Sequence, residues 1–231
     1  AAAYARRHRL RQVVLTWEND PRQPLYALPP YRRALRRSLD TADLFLCVVD
    51  AAADHLRVLG VAEDRIRVVK PGVDTDLFTP EGPVAKRNGR PRLLTATDLT
   101  QRKPLETLLR ALTKVPDAEL LVVGGPAEAE LPKDDNYVKL AKFAATLGIA
   151  DRVIFTGKVE YAAMPPLLRS ADLVISTCQY EPSGTTSLQA MACGTPVIAP
   201  PVGGHMDAVV DGTTGIIIPP DRSALLAQRL R

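Results

Sequence analysis

Cysteine, histidine and aromatic residues are scarce in this chain of 231 residues, and each shortage closes off a chemistry. The three cysteines, Cys47, Cys178 and Cys193, stand among apolar or small residues and form neither a CxxC pair nor a metal-ligand spacing. They are expected to be buried, reduced thiols of a cytosolic protein. The three histidines, His8, His55 and His205, are isolated from one another and from the cysteines. Surface positions are expected for them, with His205, after Gly203-Gly204, the one placed to line a cleft. Aromatics make up 5% of the residues and do not interleave with the basic ones as a surface for single-stranded nucleic acid requires. No apolar run approaches the roughly 20 residues of a spanning helix. The first seven residues carry charge but no apolar h-region, so they do not read as a signal peptide. Without a methionine at position 1, the numbered chain reads as a processed product or a piece. Repeats and low-complexity tracts are also missing. Gly124-Gly125 lacks the GxGxxG spacing, which argues against a nicotinamide oxidoreductase.

What is present is an ordinary globular composition, 46% hydrophobic and 24% charged. The net charge of +4 is unevenly spread. Residues 1–40 hold nine arginines against Glu18, Asp20 and Asp40, a local +6 that leaves −2 for the remainder. The favoured reading of these arginines is a solvated helix face. Peripheral contact with the anionic inner face of a membrane is the alternative, and nucleic acid is not an expected partner.

Short apolar runs alternate with helical patterns. Strands are expected at residues 13–17, 44–49, 66–69, 92–97, 119–123, 152–156, 173–176, 197–199 and 216–218. Helices are expected at 31–39, 51–59, 105–112, 136–147, 163–169, 187–193 and 223–229. Fully apolar strands interleaved with helices imply an α/β fold with a Rossmann-like parallel sheet flanked by helices. The breaker-rich stretch 80–91 reads as an interdomain linker. In such folds ligands lie beyond the carboxyl ends of the strands, at a switch in strand order. The loops that begin near Asp98, Gly124, Gly157 and Thr177 are therefore where chemistry is expected.

The richest of these runs Glu181-Pro182-Ser183-Gly184-Thr185-Thr186-Ser187-Leu188-Gln189-Ala190-Met191-Ala192-Cys193-Gly194-Thr195-Pro196-Val197. Gly184 lets backbone approach a ligand closely, and the helix start at Thr185 and Thr186 favours an anion. Glu181 offers an acceptor for sugar hydroxyls. A strand–loop–helix crossover by itself would account for Gly184 and Thr185, but not for Glu181, Gly194-Thr195-Pro196 and Lys103 together. Asp74-Thr75-Asp76 spells Asp-x-Asp but lies ahead of the linker and not after a nucleotide-binding strand, so no metal site is expected. Asp134-Asp135 reads as the cap of the helix that follows.

The Glu181–Val197 stretch resembles the signature of the family-4 (group 1) retaining glycosyltransferases of the GT-B fold, in which two glutamates stand eight positions apart. Val202-Gly203-Gly204, the run from Val209 to Gly215 and the run from Lys70 to Phe78 are similar to the same family. The resemblance covers nearly the whole chain. It implies a metal-independent hexosyltransferase without a cofactor, taking a nucleotide sugar as donor and an acceptor that is a sugar, a lipid or a small molecule. It implies two domains: residues 1–78 as the remainder of an acceptor-side domain, and 79–231 as the nucleotide-sugar-binding domain. It further implies that residues are missing from both ends and that the first domain is incomplete.

Residue by residue, the resemblance places Glu181 at the donor hexose and Gln189 where a glutamate usually holds the ribose. An amide still bonds a diol but loses the charge assistance. Lys103 matches a lysine at the diphosphate. Asp98 stands five residues earlier, where the family has arginine, and a carboxylate there repels a diphosphate unless it turns away or pairs with Arg102 or Lys103. Glu18, in Trp17-Glu18-Asn19, stands where a histidine usually approaches the donor sugar; a simple cap is the competing reading. Val159 and Glu160 lie where backbone meets the nucleobase. The departures at Asp98 and Gln189, with the short first domain, keep open a second function: a binding or interaction module that retains the fold without turnover.

Overall fold

A computed structural model describes residues 2–17, 28–99 and 104–230. Two compact units divide between Pro71 and Gly72. Residues Glu181–Ser183 group with the first unit.

The first unit is a three-stranded parallel sheet in the order β1 (Val13–Thr16), β2 (Leu44–Cys47), β3 (Ile66–Val68). The helices around it are α1 (Ala2–Arg7), α2 (Pro29–Thr41) and α3 (Asp50–Val58). Phe45 and Cys47 of β2 pack on Ala52, Ala53 and Leu56 of α3 and on Leu39 of α2. Arg65 reaches over the Phe45 ring and donates to the carbonyls of Leu39 and Ala42, which close the C-terminal turn of α2. Helix α1 was not among the expected elements.

The second unit runs β4 (Arg92–Ala96), α4 (Glu106–Leu112), β5 (Glu119–Val123), α5 (Asp135–Thr146), β6 (Val153–Gly157), α6 (Met164–Arg169), β7 (Leu173–Ile175), α7 (Thr185–Ala192), β8 (Val197–Ala199), α8 (Gly204–Ala208), β9 (Gly215–Ile217) and α9 (Ser223–Arg229). Its six strands are all parallel, in the order β6-β5-β4-β7-β8-β9. Successive residues of each strand serve opposite faces. Leu93, Leu120 and Val122 pack with Leu108, Leu112, Leu140 and Leu226 on one side. Leu94, Leu121 and Val123 pack with Leu168, Ala190 and Phe78 on the other. Helices thus cover both faces, which is why the strands are continuous apolar runs. Asp134 caps α5 as its position suggests, accepting from Tyr137 N at 2.8 Å.

The stretch 80–91 differs from the linker reading: it is strapped onto the second unit. Arg169 donates to Thr79 O at 2.9 Å and Pro83 O at 2.8 Å, Ala85 N donates to Pro166 O at 2.9 Å, and Arg87 pairs with Asp172 at 2.5 Å. Val73, Leu77 and Phe78 also pack into the core of this unit. Helix α8 was also not expected; five residues leave too short a pattern to see.

Candidate functional site

Strand β4 pairs with β5 on one side and β7 on the other, so the direction of winding reverses between β4 and β7. Loops leaving the carboxyl ends of these two strands diverge to opposite faces, and the crevice they leave is the natural ligand site of an open parallel sheet.

After β4 the chain turns sharply. Thr97 N donates to Val123 O at 2.8 Å, and Thr97 Oγ1 accepts from Leu99 N at 3.1 Å. Leu99 is buried with φ 62, a left-handed conformation rarely adopted by a branched side chain. Nothing in the sequence marks a leucine for that role. Gly124 closes against this turn: a Cβ there would lie 2.2 Å from Thr97 O. Gly124-Gly125 therefore serves packing between two strand ends. Asp98 is exposed on the turn. Its expected partners Arg102 and Lys103 lie outside the described residues, as does Glu18.

After β7 the chain enters α7 through Gly184, with φ 70 and ψ 15. A Cβ at this position would meet Gly204 O at 2.5 Å, so only glycine lets the starts of α7 and α8 touch. Thr185 and Thr186 form the first turn of α7 and are half-buried. The positive end of the helix dipole lies there. Gln189, one turn on, is buried. Glu181 sits in the same loop, its Oε1 accepting from Ser183 N at 3.2 Å and Ser183 Oγ at 3.4 Å.

Behind α7 is a residue the sequence placed on the surface. His205 is 1% exposed. Its Nδ1 lies 3.1 Å from Ser187 Oγ, and its Nε2 lies 3.0 Å from Ser176 Oγ and 3.3 Å from Cys178 Sγ. The imidazole therefore bolts the end of β7 and the first turns of α7 and α8 together, with both ring nitrogens occupied. The available signal was the run of small polar residues, Ser176, Cys178 and Ser187, at positions that otherwise face a core.

The loop after β6 is held by Lys158 N donating to Pro126 O at 2.8 Å. Val159 packs on the core that holds Phe78, and Glu160 is exposed. Asp74 spends its Oδ1 on Asp76 N at 3.0 Å and Leu77 N at 3.2 Å, a local turn cap. All three cysteines are buried thiols outside any disulfide, and burial raises the Cys47 and Cys193 thiols above their ordinary value.

Sequence comparison decides the family. The model described as "Glycosyl transferases group 1" matches residues 81–231, and that described as "Glycosyltransferase Family 4" matches residues 1–77. The chain belongs to the group 1 glycosyltransferases. Among curated relatives, this glycosyltransferase chain is 36% identical over 216 residues to D-inositol 3-phosphate glycosyltransferase of Mycobacterium sp. (strain JLS), covering 90% of the chain and 47% of the relative. The enzyme of that name from Mycolicibacterium smegmatis is 37% identical over 216 residues, covering 90% and 48%. The chain thus spans about half the length of the curated relatives it matches. Among solved structures, Anabaena HepE in complex with UDP superposes with a TM-score of 0.83 at 24% identity, covering 99% of this chain and 64% of that one. Sucrose-phosphate synthase from Thermosynechococcus elongatus gives 0.82 at 24% identity, covering 99% and 60%. The fold is GT-B over that partial length. Among the described residues, no helix is long and apolar enough to cross a membrane.

Proposed function

We propose that the second unit is the donor side of a retaining hexosyltransferase, and that its site binds a nucleoside diphosphate sugar at the start of α7. The observation that carries this is the glycine-gated helix start, Gly184-Thr185-Thr186, at the winding reversal of the six-stranded sheet. A helix N-terminus offers N–H groups and a positive dipole end to a diphosphate. In this reading Lys103 and the α7 start stabilise the departing diphosphate without a metal. Glu181 orients the hexose, Gln189 holds the ribose, and the Val159-Glu160 backbone meets the base. Glu18 is the further residue assigned to the donor sugar, and residues 1–78 are read as the acceptor side. HepE has been solved with UDP and with UDP-glucose, which supports a uridine donor here.

Calorimetric titration with UDP, GDP and ADP in the presence of EDTA tests the reading. Saturable binding of UDP is expected, weakened roughly ten- to a hundredfold in Lys103→Ala, the worth of a charge-assisted contact. A folded protein that binds none of the three overturns it. Asp98 and Gln189 favour a second reading, a module that binds nucleotide without turnover. Binding of UDP-glucose with neither hydrolysis nor transfer would select that one.

A further inference from the structure

The first turn of α7 is held from behind by two contacts with the start of α8. One is backbone on backbone: the space a Cβ would need at Gly184 is taken by Gly204 O. The other joins side chains. Ser187, the third residue of α7, has its Oγ 3.1 Å from His205 Nδ1, and both residues are 1% exposed. The far nitrogen of the same ring reaches the end of β7, with Nε2 3.0 Å from Ser176 Oγ and 3.3 Å from Cys178 Sγ. One imidazole therefore ties the helix start to the sheet end.

Packing alone does not call for an imidazole here. Apolar side chains of the same shape in place of the ring and its hydroxyl partners would give nearly the same stability, because buried hydrogen bonds add little net to folding. Directional bonds add precision instead, since they weaken steeply away from their preferred distance and angle. Hydroxyls and a thiol donate or accept as required, so the partners suit either tautomer of the ring. The turn fixed in this way is the one whose unpaired N–H groups face an incoming anion. Such groups hold a diphosphate only while they converge on it.

We propose that His205 is a positioning residue of the donor site: it touches no substrate, but sets the aim of the first turn of α7 and through it the affinity for the diphosphate. The Nδ1 contact with Ser187 carries the role, and the Nε2 side anchors the ring to the sheet. This inference rests on the donor reading given above.

Two amides separate the two sides of the ring. An asparagine amide stands near the place of Nδ1, and a glutamine amide near that of Nε2. In calorimetric titration of the full chain, UDP affinity is expected to fall roughly tenfold in His205→Gln and in Ser187→Ala. His205→Asn is expected to stay within about threefold of the parent. Ser187→Ala removes a single oxygen and reads the same effect if the His205 variants do not fold. Hydrogen exchange over residues 185–192 in the unliganded protein is expected to quicken in His205→Gln and Ser187→Ala and to stay at the parent rate in His205→Asn. A role in stability alone would make affinity follow Tm across the set, and that result overturns the proposal. So does a parent that binds UDP while His205→Gln and Ser187→Ala change neither its affinity nor the exchange of α7. A folded parent that binds none of UDP, GDP and ADP overturns the donor reading itself, and with it the place of His205 in a donor site.

Discussion

At the scale of single residues, the least forgiving contact lies at the end of the sheet opposite the candidate site. Arg92 and Glu119 begin the neighbouring strands β4 and β5, and their side chains are 4% and 2% exposed. Arg92 Nε donates to Glu119 Oε1 at 2.6 Å and Nη1 donates to Ser170 Oγ at 3.0 Å, while Asn88 Nδ2 donates to Glu119 Oε2 at 3.1 Å. A buried pair this well satisfied adds little over an apolar pair of the same size, but removal of one partner strands a charge. Glu119→Ala is expected to cost about 3–5 kcal/mol in urea unfolding, and Arg92→Met with Glu119→Leu to recover most of it. A loss below about 1 kcal/mol would mean that Arg92 finds water. Both residues were legible as strand residues, but their pairing was not. It depends on the parallel register that sets Arg92 beside Glu119, which no local pattern encodes.

At the scale of elements, helix ends and connections were less legible than helix bodies. Helix α7 starts at Thr185, two residues before the hydrophobic pattern suggests, because Gly184 supplies the left-handed turn that starts it. Helix α4 and the turns after it end on a distant arginine. Arg152, in the turn just before β6, is buried and donates to Leu112 O at 3.2 Å, Val115 O at 2.9 Å and Ala118 O at 2.8 Å. The bonds to Leu112 O and Ala118 O are buried, so these two carbonyls lose their partner when the guanidinium is removed. Arg152→Ala is expected to lower stability by about 2–4 kcal/mol. Arg152→Lys should recover less than half of that, since one ammonium does not reproduce the planar fork. Thermal melting of the two variants checks the order. In the same way, Arg169 and the Arg87–Asp172 pair turn a proline- and glycine-rich stretch that reads as a linker into part of the second unit. Composition announces a break in regular structure, but it does not say whether the broken chain is packed.

For the whole molecule, the two units differ in how completely they are covered. The six-stranded sheet has helices on both faces. Among the described residues, β1 is an edge strand of the first unit, and its alternate residues Val13 and Leu15 are 55% and 53% exposed. Parallel sheets are ordinarily buried on both faces, and an open apolar edge invites pairing with other chains. Leu15→Lys is expected to reduce light scattering on heating while changing unfolding stability by no more than about 0.5 kcal/mol, as for a surface substitution. Unchanged aggregation would show that this edge is not where chains meet.

By itself, the sequence determined the periodicities that place nearly every strand and helix, the glycine entry to α7, the cap at Asp134, and the ordered motifs that mark a group 1 glycosyltransferase. These are local properties, set by side-chain spacing and by what each residue type permits its own backbone. Tertiary structure alone decided the Arg92–Glu119 pair, the burial of His205 between β7, α7 and α8, the left-handed turn at Leu99 and the attachment of the 80–91 stretch. Each depends on groups brought together from separate elements; Arg92 and Glu119, and likewise Cys178 and His205, stand 27 residues apart. Their energies come from burial and partner geometry, which exist only once the sheet has closed.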